Sequence, residues 1–269
     1  MCRWLAYSGP PVFLDSVLFK PENSLIRQSL RALEGRHVTN GDGFGVGWYG
    51  ERQQPGLFRD TLPAWNDENL HSIAEQIKCG LFLAHVRAST ASSTARVNCH
   101  PFRHENWLFM HNGQIAGFEK IRRPMEAALS DRLYEARHGT TDSELLFLLA
   151  IEFGLESDPA AAFGEAIRFA LAEAARAGVR ELVRFTAAFS DGDALHAIRY
   201  ASDEYAPTLY SAPTCNNQGH CLVSEPFSDA DTKWHEIPAG SIVTLKKGGI
   251  SSKRFDPMQG AVVKVAEVA

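Results

Sequence analysis

Cys2, directly after Met1, is the residue whose type and place most suggest chemistry. With the methionine removed it carries a thiol and a free α-amine together, a nucleophile with its own base. An α-amine titrates near pH 8 (about 7.7–8.0), so at neutral pH part of it is free to take the proton of a thiol, and the thiolate is the nucleophilic form. An unremoved Met1 would block that amine. Alone, a cysteine at this place is as readily an accident of composition, so partners have to be found downstream.

Candidate partners stand at the ends of apolar runs. Arg87 follows the run 81–86, with Thr90 three residues on; a charge beside a buried strand is costly unless paired. Asn112 and Gly113 follow the run 107–110, and Asp142 opens the apolar stretch 145–153. His100 lies in the loop Asn98-Cys99-His100-Pro101-Phe102. Each has a plain structural reading as well. Asp142 suits a helix dipole, worth about 0.3–1 kcal/mol. Arg87 suits an ion pair, Asn112-Gly113 a tight turn, and His85 a satisfied core histidine. Cys215, His220 and Cys221 have a spacing that fits no common structural zinc site.

The elements that must position these groups read from pattern. Residues 2–7 form a short buried strand stopped at Ser8-Gly9-Pro10-Pro11, and Leu25, Ile26, Leu30 and Leu33 recur at helical spacing up to Gly35. The segment 40–49 has alternating glycines but runs into Val46, Trp48 and Tyr49, so it suits a strand closely approached by another backbone better than a dinucleotide turn. A helix is expected over 67–78 and central strands over 81–86 and 107–110. The latter strand ends in a turn at 111–114 in which Gly113 takes a positive φ. Thr141 and Glu144 have capping-box spacing. Asp158-Pro159 opens a second helix, reaching about Gly178. A hairpin about Asp191-Gly192 follows, then strands over 208–211, 221–224 and 241–245.

With 269 residues, 45% of them hydrophobic, the chain is expected to form one domain over 1–269. A net charge of −5 without a basic stripe argues against nucleic acid or an anionic membrane as partner. No run approaches the roughly 20 apolar residues that span a bilayer. Five scattered cysteines do not form a disulfide framework. A soluble cytoplasmic protein is expected.

Taken in order, Cys2-Arg3, His85-Val86-Arg87 with Thr90, Asn98-Cys99-His100-Pro101, His111-Asn112-Gly113 and Thr141-Asp142-Ser143-Glu144 resemble the class II glutamine amidotransferases. These are N-terminal nucleophile hydrolases that release ammonia from the side-chain amide of glutamine. The resemblance implies an α+β fold, a four-layer αββα sandwich of two antiparallel sheets between helices. It implies that Cys2 attacks a γ-glutamyl amide to give a thioester, with Asn112 and Gly113 N–H as the oxyanion hole. Arg87 would hold the substrate α-carboxylate, Thr90 would contact it, and Asp142 would accept from the α-ammonium. His100 would position its loop. No cofactor or metal is implied.

The segments 40–46, 61–66, 84–90 and Ser224-Glu225-Pro226 look most like stand-alone members, of the types found in a glutathione-degrading complex and in the ergothioneine pathway. Ala88 stands where the synthases have Trp, and the residues after Asp142 leave no room for a synthase domain. The expected activity is therefore hydrolysis of glutamine or another γ-glutamyl compound, with any synthase or peptidase partner a separate chain. The alternative is a non-catalytic or partner-dependent regulatory subunit that binds a γ-glutamyl compound.

Overall fold

The structure, a computed structural model, describes residues 2–34, 38–89, 93–214, 219–227 and 232–258. The apolar and alternating runs become strands β1 (Arg3–Phe13), β2 (Phe44–Tyr49), β3 (Gly56–Asp60), β4 (Lys78–Val86), β5 (Phe102–His104), β6 (Trp107–Ile115) and β7 (Val183–Ser190). They continue as β8 (Leu195–Ala201), β9 (Tyr210–Pro213), β10 (His220–Val223), β11 (His235–Glu236), β12 (Ser241–Lys246) and β13 (Gly249–Arg254). The helices are α1 (Asp15–Leu18), α2 (Leu25–Leu30), α3 (Glu68–Gln76), α4 (Phe118–Ala127), α5 (Asp131–Glu135), α6 (Asp142–Glu152) and α7 (Pro159–Arg176).

One antiparallel sheet has the order β11-β9-β10-β1-β4-β2-β3, the other β13-β12-β8-β7-β6-β5. Side chains alternate across each strand, so each sheet has an inner and an outer face. Trp4, Ala6, Leu81 and Leu83 of the first sheet meet Leu108, Met110, Ala188 and Ala197 of the second between the sheets. On the outer face of the first sheet, Leu5, Tyr7, Phe82 and Ala84 pack with Leu18, Leu25, Leu70 and Ala74 of α1–α3. On that of the second, Phe109, Phe185 and Phe189 pack with Ile121, Phe147 and Phe163 of α4, α6 and α7. The result is the expected αββα layering. Among the described residues no helix is long and apolar enough to cross a membrane.

Four expectations need correcting. β1 runs on to Phe13, and Gly9, Pro10 and Pro11 fall in a register shift against β4 between Ser8 and Val12, so the prolines interrupt the ladder without ending the strand. α2 stops at Leu30, leaving Leu30 and Leu33 exposed, because the Leu33 and Glu34 N–H groups go to the Glu225 carboxylate rather than to helical carbonyls. Residues 111–114 are no turn: all four pair with β7, His111 with Ala187 through Gln114 with Arg184. The strand expected at 208–211 lies at Tyr210–Pro213.

Glycine in β2 is a matter of space. A Cβ on Gly45 would stand 2.3 Å from the His100 carbonyl oxygen. The loop before β5 therefore lies directly against β2, as the alternating glycines suggested.

Candidate active site

The pairing of Arg3 with Val86 sets Cys2 beside the chain that leaves β4. Its Sγ accepts from the Ala88 N–H at 3.4 Å and lies 3.6 Å from the Ala88 carbonyl oxygen. Burial pushes this thiol up, while the Ala88 contact and the guanidiniums of Arg87 and Arg3 act in the opposite sense. Cys2 thus keeps its proton more firmly than a free thiol and needs a base.

Arg87 is buried, and its guanidinium donates to the Asp42 carbonyl oxygen (3.3 Å), Ser89 Oγ (3.2 Å) and the Ser93 carbonyl oxygen (3.3 Å). Asp42 in turn accepts the Ser89 N–H at 2.7 Å, so the turn after β4 is laced to the segment before β2. Thr90 lies outside the described residues, as does Cys215.

Asn112 shares the inner face of β6 with Leu108 and Met110, the layer that also holds Trp4. Its side chain is buried and Nδ2 has no hydrogen-bond partner among the described residues. Leaving such a donor unpaired costs about 1–3 kcal/mol, so a ligand oxygen arriving there would recover that cost. At Gly113 a Cβ would lie 1.8 Å from the Arg184 carbonyl oxygen and 2.5 Å from His111 Nε2. Its φ of 159° is close to extended, so glycine is needed here for space rather than for a turn.

Asp142 is the first residue of α6. Its Oδ2 accepts the Ile115 N–H at 2.8 Å and Oδ1 accepts the Ser143 N–H at 2.8 Å, which ties the helix start to the end of β6. Thr141 caps as expected, its Oγ1 accepting from Glu144 N at 3.1 Å. The other half of the box is different: the Glu144 carboxylate turns to the His138 and Gly139 N–H groups. A cleft of ≈ 750 Å³ is lined by Gly113, Gln114, Ile115, Thr141 and Asp142, with Ser93 on its wall. Gly113 and Asp142 therefore share one cavity, and Arg87 reaches it through Ser93. Cys2 and Asn112 do not line it.

His100 stacks on His85 with ring centroids 4.3 Å apart and meets the Phe102 edge at 4.6 Å. None of the four ring nitrogens has a hydrogen-bond partner among the described residues, so His85 is a buried but unsatisfied histidine. Burial drives the pKa of His85 down to about 3 and holds His100 well below the ordinary range.

Sequence reasoning missed one pair. Arg3 Nε lies 3.0 Å from Glu225 Oε2 with both side chains buried, and Arg3 Nη1 donates to the Cys2 carbonyl oxygen at 3.2 Å. An arginine inside an apolar strand signals that an acid must meet it, but nothing local says which.

The model of the family "Glutamine amidotransferases class-II" matches residues 22–265. The probable glutamine amidotransferase DUG3 of Saccharomyces cerevisiae is 32% identical over 92% of this chain and 82% of its own length. A gamma-glutamyl-hercynylcysteine sulfoxide hydrolase of Mycobacterium tuberculosis is 27% identical over 97% of this chain and 99% of its own. The solved structure of a glutamine aminotransferase class-II domain protein from Silicibacter pomeroyi superposes with a TM-score of 0.77 at 39% identity, covering 95% of this chain and 99% of that one.

Proposed function

The chain belongs to the class II glutamine amidotransferases, an amidohydrolase-type family, and on that footing we propose that it hydrolyses γ-glutamyl amides with Cys2 as nucleophile. The observation that carries this reading is the Cys2 thiol held against the Ala88 N–H at the end of β4, beside the Arg87 turn. Once Met1 is removed, the Cys2 α-amine takes the thiol proton and the sulfur attacks the amide carbon. The developing oxyanion is met by Asn112 Nδ2, the donor otherwise left unpaired, and by the Gly113 N–H. The tetrahedral species collapses to a thioester as ammonia or an amine leaves with the proton from the α-ammonium. Water, deprotonated by the same amine, then attacks the thioester, and glutamate departs.

Arg87, Thr90 and Asp142 bind the α-carboxylate and α-ammonium of the substrate, with Asp142 on the wall of the cleft. His100 holds its loop against β2 and takes no proton. The substrate is glutamine or a larger γ-glutamyl compound, since the relatives include a hydrolase named for a γ-glutamyl sulfoxide.

The test is glutamate release from glutamine, glutathione and other γ-glutamyl amides, comparing the protein with its Cys2→Ala variant. We expect the variant to lose at least about 10³-fold in kcat, as removal of a covalent nucleophile does, and mass spectrometry to find Met1 absent from active protein. Equal glutamate release from both proteins would remove Cys2 from the mechanism. Release that appears only after adding a second chain would assign the protein a partner-dependent role.

A further inference from the structure

An N-terminal nucleophile poses a positioning problem. Its α-amine has to stay available as base and its thiol has to reach the substrate, so the carbonyl is the one polar backbone group left by which the residue can be held. Rotation about the Cα–C bond would swing amine and sulfur together. That carbonyl oxygen accepts from Arg3 Nη1 at 3.2 Å.

Arg3 is itself fixed from the other side. It lies on the face of β1 shared with Leu5 and Tyr7, opposite Trp4, and is fully buried. Burial weakens its hold on its charge and Glu225 is the main restoring influence. Glu225 is 2% exposed and follows β10, the other neighbour of β1. There Trp4 N–H donates to Ser224 Oγ at 2.9 Å, and Ser224 N–H donates to the Trp4 carbonyl oxygen at 3.0 Å. The same carboxylate accepts from Leu33 N–H (3.0 Å), Glu34 N–H (3.0 Å) and Asn23 Nδ2 (3.1 Å). Three stretches of chain thus meet on one acid group: 23, 33–34 and the residue next to the nucleophile.

Stability is a poor explanation for this arrangement. A buried ion pair is often replaced by apolar side chains without loss of stability. We propose that Glu225 is a positioning residue: through Arg3 it fixes the Cys2 carbonyl, and so the direction of amine and thiol, and it ties that direction to the segment 33–34. This rests on Cys2 being the nucleophile. Neither residue of the pair lines the cleft, so the pair acts on the reaction step and not on binding. Misplacement of a reacting group by about 1 Å can cost about 10²-fold.

The experiment uses the full chain with Met1 removed and two variants. Arg3→Lys keeps a cation for Glu225 but has no fork to reach the Cys2 carbonyl as well. The Arg3→Met/Glu225→Gln double variant removes both charges and keeps an amide oxygen for the Leu33 and Glu34 N–H groups. We expect both to fold with a Tm close to that of the parent, and kcat for glutamate release to fall about 10–10²-fold while KM stays within about twofold. The rate of Cys2 alkylation by iodoacetamide, followed against pH, should change its midpoint in the double variant, because the Arg3 guanidinium that acts on the thiol is gone. A folded variant with parental kcat and an unmoved alkylation profile overturns the proposal. So does loss of the fold in both variants, which would assign the pair to stability. Retained activity in Cys2→Ala would instead overturn the nucleophile assignment, so the two failures are distinguishable.

Discussion

His85 and His100 show how much the interior asks of single residues. Their rings stack with no hydrogen-bond partner for any nitrogen, so both behave as flat apolar groups and have to stay neutral. In the unfolded chain a histidine binds a proton below about pH 6.5, whereas folded His85 does so only near pH 3. Between these values the unfolded state holds more protons, so stability is fully present above pH 6.5 and is lost as the pH falls towards 3. The loss for one such histidine is about 1.4 kcal/mol per pH unit. We expect His85→Phe to flatten the fall in urea-unfolding free energy between pH 6.5 and 4; the same slope in both proteins would show that His85 is not what acid attacks. The stack also marks the limit of reading residues one at a time. Cys2 could be picked out because it follows Met1, and Arg87, Asn112, Gly113 and Asp142 because each stands at the edge of an apolar run. That His85 lacks a partner, and that Arg3 has one in Glu225, depends on contacts between distant strands that no local pattern carries.

Elements were legible where one periodicity rules and obscure where pairing overrides it. α6 and α7 announce their starts through Thr141 and Asp158, both of which cap as expected. Residues 111–114 carry turn residues by type, yet β7 offers each of them a ladder partner and the strand continues. The close approach at β2 was readable from its glycines, and it gives a sharp test. Gly45→Ala places a methyl 2.3 Å from the His100 carbonyl oxygen and 2.8 Å from Arg59 Cγ, and should destabilise by about 1–3 kcal/mol or more. Gly50→Ala, where nothing lies within 4 Å, should stay within about 0.5 kcal/mol of the parent. Chemical denaturation of the two variants side by side decides this, and equal midpoints would mean that β2 does not need its glycine.

At the scale of the whole molecule the chain crosses between sheets repeatedly: β1–β4 build the first, β5–β8 the second, β9–β11 return to the first and β12–β13 to the second. No continuous stretch completes either layer. The αββα layering could be expected from the family resemblance, but this interlacing could not, since β11 has only two residues and β13 is exposed at every position, so neither leaves a periodic trace. We therefore expect a single unfolding transition, with loss of near-ultraviolet circular dichroism and loss of secondary structure coinciding. A fragment ending at residue 205, which lacks β9–β13, should not form native structure. Two separated transitions, or a folded fragment, would show that one layer stands alone.

The two-way bond between Trp4 and Ser224, which spans 220 residues, has a consequence for the protein while it is being made. β1 lies between β4 and β10, so its seat stays open until β10 has left the ribosome. At about 5–20 residues per second, that is a delay of roughly ten seconds to under a minute. Throughout it Cys2 is an ordinary exposed thiol on a nascent chain, open to oxidants and without an aligned substrate. Catalytic competence would then arrive abruptly, when about the last fifth of the polypeptide closes over the first few residues.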